Sequence, residues 1–318
     1  MLGFVQAPHP RLPALRALPV PRPRWIGWLG AGCAALLLAD TTRAEPEWAE
    51  WLVDTEMSGR FDDNANRASA SSEQEWDLAF TPRLAGGRAA QLAKYTRLLA
   101  LLEVGAAIYS REEDLTSIAG GGRLVLLHKF GLGDAPWASL SAAGGYEAVR
   151  ADQRSGPRYS AGAALGKRFS PRFDARAEYR FSTRFGRDGP RVAPAPGVAD
   201  DVFDQRAHEI GVEGRFLLTQ RLALSGGFDY RRGDFDSNAQ DSRFDVLQRR
   251  DVEAVALDEA FGGWVYRLEG NAYSPFLRLD LGLSARWSAG LAYRYQYGES
   301  GGLDYQNHRA EATVLFRY

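Results

Sequence analysis

The segment FDARAEYRF, Phe173 to Phe181, separates completely by parity. Phe173, Ala175, Ala177, Tyr179 and Phe181 are apolar, whereas Asp174, Arg176, Glu178 and Arg180 are all charged. A strand sends alternate side chains to opposite faces, so this stretch is a ribbon with one greasy and one ionic side. The same sorting holds for Leu222, Leu224, Gly226, Phe228 and Tyr230, for Trp287 to Tyr297, and for Ala310, Ala312, Val314, Phe316 and Tyr318 at the end of the chain. Strands of water-soluble sandwiches centre on about five or six residues. These stretches run to roughly nine or more, the length a tilted strand needs to cross a bilayer. Length therefore decides that the apolar parity touches acyl chains and the charged parity lines an enclosed, wet interior.

Aromatic residues gather at the segment ends, among them Trp51, Phe61, Trp76, Tyr95, Tyr109, Trp137, Tyr146, Tyr159, Phe169, Phe173, Trp287 and Tyr318. Rings bracketing apolar bands form the girdles of a membrane barrel. Connections alternate in length. Short links are expected at 170–172, 219–221 and 284–286, with slightly longer ones at 84–90 (LAGGRAA) and 131–136, and long polar ones near 62–73, 185–203 and 235–265. The expected fold is all-β, a transmembrane antiparallel up-and-down barrel with short periplasmic turns and long extracellular loops. Twelve strands are expected, near 51–61, 74–84, 94–109, 117–130, 137–149, 158–169, 173–184, 204–218, 221–234, 266–283, 287–298 and 305–318. Fourteen is the alternative if residues 251–283 add a pair.

After residue 39 no apolar run reaches the roughly 18 to 20 residues of a membrane helix. The formal charge of −1 gives no field that would draw nucleic acid. Residues 1–44 read as a signal peptide, with Arg11, Arg16, Arg22 and Arg24 ahead of an apolar core from Trp25 to Ala39 and a small-x-small site at Thr42, Arg43 and Ala44. The barrel domain is then 45–318. The single cysteine, Cys33, falls in the leader, so the mature domain carries no thiol and no disulfide.

With these features the chain resembles the Gram-negative outer-membrane β-barrel superfamily over residues 50–318. The ending carries the resemblance most specifically. Val314, Phe316 and Tyr318 look like the C-terminal signal read by the barrel-assembly machinery. The resemblance implies the cell outer membrane as location, with outer-membrane lipid and lipopolysaccharide as surroundings. It reaches no functional subgroup and leaves the oligomeric state open. Outer-membrane phospholipases carry a His-x-Ser pair, and none of His128, His208 or His308 has Ser two residues on. No omptin-like set of paired carboxylates with an Asp-His couple stands out, so no catalytic residues are assigned and an enzyme is not expected.

The polar parity supplies the candidate site. Arg176, Arg180, Arg215 and Arg294, with Glu178 and Glu213, are the lumen residues expected to set selectivity, an excess of arginine favouring anions as charged rings do in pores. The bland alternative is a lattice of ion pairs that plugs the lumen. No cofactor or metal is expected. DFDSNAQD, Asp234 to Asp241, has a calcium-loop spacing, yet Ala239 stands where the turn wants Gly and Asp245 where a bidentate Glu belongs. In residues 246–264, Val252, Val255, Ala256 and Phe261 share a helical face, which suggests either a helix folded into the mouth or a surface helix capping the loop. These readings make the protein a narrow channel for passive diffusion of small polar or anionic solutes. The alternative is a structural or surface-interaction barrel with a plugged lumen, and a membrane-surface enzyme stands third.

Overall fold

A computed structural model describes residues 47–187, 201–239 and 252–318. The expected leader, residues 188–200 and residues 240–251 lie outside the described residues. Among the described residues thirteen strands run in chain order: β1 Glu47–Asp62, β2 Asp77–Ala93, β3 Thr96–Tyr109, β4 Ser117–Lys129, β5 Trp137–Val149, β6 Gly156–Ser170, β7 Phe173–Arg184, β8 Gln205–Leu217, β9 Leu222–Ala239, β10 Val252–Leu257, β11 Trp264–Gly282, β12 Trp287–Ser300 and β13 Leu303–Arg317. Each pairs antiparallel with its neighbour, except that β11 pairs with β9 and leaves β10 on its other edge. The ring closes where β13 meets β1, from Asp54 opposite Arg317 to Asp62 opposite Arg309. Twelve strands therefore form a closed antiparallel barrel, and β10 stands outside the ring.

Closure is a physical necessity, because hydrocarbon offers backbone groups no hydrogen-bond partners. The seam is sealed from the lumen side by two arginines. Arg317 Nε donates to Asp54 Oδ1 and Arg309 Nε to Asp62 Oδ2, each at 2.8 Å. Tyr318 N–H donates to Val53 O at 2.9 Å, so the last residue of the chain is tied to the first strand.

The apolar parity faces outward. Leu102 is 75% exposed and Leu291 62%, values that a water-soluble core strand would not show. Phe228 is exposed too, and rings of exposed aromatics bracket this belt, with Trp51, Phe169, Trp287 and Tyr318 at the short-turn end and Trp76, Tyr146, Tyr159 and Tyr293 at the other. Tyr109 departs from the expected girdle. It lies on the lumen parity and accepts a hydrogen bond from Arg60 Nη2 at 3.0 Å.

Three expectations about connections fail. LAGGRAA is strand and not turn: β2 runs straight through it to Ala93, and the chain reverses at Lys94 and Tyr95. Gly86 and Gly87 stay out of the left-handed region, and Gly87 is small because a Cβ there would lie 2.0 Å from the Ala100 carbonyl oxygen on β3. Among the described residues of the polar loop expected at 235–265 most are strand, since β9 continues to Ala239, Val252 to Leu257 is strand and β11 begins at Trp264. Asp234, Asp236 and Asn238 consequently alternate along a strand, and Asp241 and Asp245 lie outside the described residues. Val252 to Leu257, read as part of a helix, is β10. Above Asn271 strand β12 has left β11, and β10 takes the vacated edge, pairing from Val252 opposite Leu268 to Leu257 opposite Trp264. Backbone pairing there outweighs the helical periodicity of a six-residue segment. The alternative of fourteen strands fails with it, because the segment adds one strand outside the ring.

Candidate functional site

The inward parity of the wall carries ion pairs between neighbouring strands. Glu103 is shared by Arg83 at 2.8 Å and Arg123 at 3.0 Å, and Glu147 faces Arg158 at 3.3 Å. Of the predicted residues, Arg176 pairs with Glu213 at 2.8 Å, while Arg180 sits between Glu178 at 3.2 Å and Glu209 at 3.5 Å. Arg294 pairs with Asp229 and lies 4.9 Å over the Phe276 ring. Arg215 forms no ion pair among the described residues.

These pairs leave open space. One chamber of about 700 Å³ is lined by all six predicted residues, Arg176, Glu178, Arg180, Glu213, Arg215 and Arg294. Eight arginines and five carboxylates line it in total. A second chamber of about 590 Å³ is lined by seven arginines and four carboxylates, and Arg180 borders both. The arginines are not gathered at one level. Arg176 and Arg180 are four residues apart on β7, about 13 Å along the strand, so they form a ladder with Arg180 between the chambers.

The outer end holds a site that the sequence did not disclose. Beyond Gly233 on β9 and Gly270 on β11, these strands and β10 make a three-stranded flap. Phe235, Ala239, Val255, Tyr266 and Leu268 pack on one side of it with Tyr305 of β13, the Phe235 and Tyr305 rings 5.3 Å apart. Ala254 and Val265 pack on the other side with Val202 and Phe203. Both parities are buried, so the flap is built like a water-soluble core.

Flap residue Asp236 gathers the rim. Arg67 Nη1, from the β1–β2 connection, donates to its Oδ1 at 2.6 Å; Arg154 Nη1, from the β5–β6 connection, to its Oδ2 at 3.0 Å; and Gln205 Nε2, at the start of β8, to Oδ1 at 2.9 Å. Around a ring of twelve, the β1–β2 connection, the β5–β6 connection and the β9–β11 pair are spaced four strands apart. Groups so spaced, on the order of 20 Å along the wall, meet at one carboxylate only over the centre of the opening. The outer mouth is therefore covered.

A second clasp reinforces it. Arg154 Nη2 donates to Asp258 Oδ2 at 2.6 Å, and the Asp258 side chain is fully buried. Asn238 also donates to Asp258. Burial alone would raise the Asp236 carboxyl, but Arg67 and Arg154 outweigh it and hold it well below the usual carboxylate range. Sequence reasoning missed Arg67, Arg154, Gln205, Asp236 and Asp258 because loops were expected where the flap lies. The signal available was the alternation of DFDSNA, which keeps the period of β9 with its phase reversed at Gly233.

A closed ring of twelve long strands with an apolar outer belt and a charged lumen has one solvent environment that fits it, a bilayer crossed by strands. The chain folds as a closed transmembrane β-barrel. No protein-family model matches the sequence, and no curated protein matches it. Among solved structures, an outer-membrane channel from Pseudomonas putida F1 superposes with a TM-score of 0.57 at 11% identity, covering 87% of this chain and 100% of that one. The NanC porin gives 0.44 at 9% identity, over 82% and 98%. The KdgM porin in complex with disordered oligogalacturonate gives 0.42 at 8%, over 83% and 98%. At these identities the likeness to the P. putida channel concerns the fold alone. Within the barrel Val314 faces outward and Phe316 packs 4.8 Å from Trp287, at the short-turn end with Tyr318.

Proposed function

We propose that this barrel is a narrow channel for small polar solutes, with a preference for anions, and that Arg180 is its selective neck. The observation that carries the reading is the arginine surplus lining both chambers, with Arg180 common to the two. Fixed positive charge in a low-dielectric enclosure concentrates anions and excludes cations. A lumen plugged by ion pairs is the competing reading. The combined space of the chambers argues against it, and the covered mouth makes the channel a gated one.

The test is reconstitution in planar bilayers under a potassium chloride gradient. The expected reversal potential has the sign of an anion-preferring pore, and Arg180→Ala moves it several-fold toward non-selectivity in permeability ratio. Silence of the native barrel and of variants with a weakened flap clasp would sink the channel reading. Val314, Phe316 and Tyr318 are proposed as the signal for the barrel-assembly machinery, supported by their place on the strand that closes the ring. Loss of Tyr318 is expected to slow assembly in cells.

A further inference from the structure

The three donors on Asp236 constitute a carboxylate receptor that the barrel fills with its own side chain. Two of them belong to connections that are fixed to the wall independently of the flap. Around Arg67, Asn64 Nδ2 donates to Ala68 O at 3.0 Å and to Gln306 O at 2.9 Å, and Asn307 Nδ2 donates to Asp62 Oδ1 at 2.6 Å. Beside Arg154, Ser155 Oγ accepts from Val149 N–H at 2.8 Å and donates to Val149 O at 3.1 Å. The occupant, in contrast, is on an element with a line of weakness at its base. Gly233 and Gly270 are direct cross-strand partners. A Cβ on Gly233 would lie 2.1 Å from Arg206 O, and one on Gly270 2.4 Å from Glu299 O, so the flap bends where neither strand has a side chain. Gly233 has a φ of +148°, and Arg67 is the one residue other than glycine with positive φ among those described. For Arg67 such a backbone costs on the order of 1–3 kcal/mol and is kept where surrounding contacts demand it.

We propose that the mouth of the barrel recognises carboxylate-bearing solutes at Arg67, Arg154 and Gln205, and that such a solute opens the flap by taking the place of Asp236. This deepens the channel reading and rests on it for its purpose. The physics is competition. Swinging the flap outward removes Asp236 from Arg67 and both Asp236 and Asp258 from Arg154, leaving these two arginines short of counter-charge, while Arg184 and Arg231 keep Glu147 and Glu209, each at 3.7 Å. A solute carboxylate restores that charge only in the open form, and a ligand that binds one of two forms shifts the equilibrium toward it. Entry then leads onto the arginine surplus of the chamber below.

The experiment uses a single cysteine, Ser160→Cys, in the wall of the outer chamber. The only native cysteine, Cys33, lies in the expected leader. Intact cells are treated with a membrane-impermeant maleimide, with and without millimolar succinate, and with glucose and choline as neutral and cationic controls. Labelling is expected to be slow in plain buffer and to quicken about tenfold with succinate alone, as for a ligand near ten times its dissociation constant. Asp236→Asn in the same background is expected to label quickly without succinate. Arg67→Gln is expected to abolish the response, and the heat-dependent gel mobility of folded barrels confirms that each variant has folded. Fast labelling of the parent in plain buffer, or labelling that ignores succinate, overturns the proposal. If succinate speeds labelling while no ionic current is found in planar bilayers, the receptor stands and the channel reading falls; with current but no succinate response, the channel stands and the receptor falls.

Discussion

The wall and the flap are made from the same strands, β9 and β11, yet they obey opposite rules. Below Gly233 and Gly270, one parity meets lipid and the other meets water and ion pairs. Above them both parities are buried against protein, with Phe235, Tyr266 and Leu268 on one side and Ala254 and Val265 on the other. The wall draws its strength from backbone pairing that hydrocarbon makes compulsory. The flap draws its strength from apolar packing and two clasped carboxylates, both of which can be broken without opening the ring. A strand can thus pass from a membrane architecture to a water-soluble one within one chain, at a pair of glycines.

Substitutions at glycine give the sharpest division. Gly87→Val places a branched side chain against the Ala100 carbonyl between two wall strands, and loss of the folded barrel is expected, read as absence of the heat-shifted band. Gly233→Val meets an equally close carbonyl at the base of the flap, and here the expected outcome is a folded barrel with an uncovered mouth and a larger conductance. Equal loss of folding in both would erase the distinction between wall and flap.

Next in size is the clasp. Asp258→Ala leaves Arg154 buried and half-satisfied, which costs about 3–5 kcal/mol for a pair of this kind. Hydrogen exchange should quicken by orders of magnitude at the β10 amides, Val252 to Leu257, and stay unchanged in β4 and β5. Leu291→Arg tests the wall in turn. A cation at the middle of the lipid face costs roughly 2–4 kcal/mol, so the midpoint of chemical unfolding in bilayers should fall while flap exchange is unaffected.

The smallest effect is expected at the rim. Burial, then the hydrogen bond that its protonated form donates to Glu75, pushes the Glu112 carboxyl up to about 7. The folded chain holds that proton from pH 4.5 to about 7, where the unfolded chain has already lost it, so stability declines as pH rises through this window. Glu112→Gln should flatten that decline in thermal unfolding measured between about pH 5 and pH 8, with little change at the acid end.

Most of the wall is legible in the sequence. The parity of Phe173 to Phe181 or Leu222 to Tyr230 is a local property, and the expected strands overlap those observed because lipid on one face and charge on the other leave little freedom. Arg176, Glu178, Arg180, Glu213, Arg215 and Arg294 line the lumen as their parity requires, since facing follows from alternation alone. Sequence reasoning goes astray where glycine imitates a turn, at Gly86 and Gly87, and where a short apolar segment has two admissible periods, at Val252 to Leu257.

What the sequence determined by itself is the sidedness of each strand, because alternate side chains must part to opposite faces whatever lies around them. What tertiary structure alone decided is the closing of the mouth. Arg67, Arg154, Gln205 and Asp236 are far apart in the chain and on separate strands or connections, and no local pattern encodes their meeting. They converge because twelve strands close into a ring, which fixes the positions of the rim connections relative to one another, and because paired glycines let two of those strands bend over the opening.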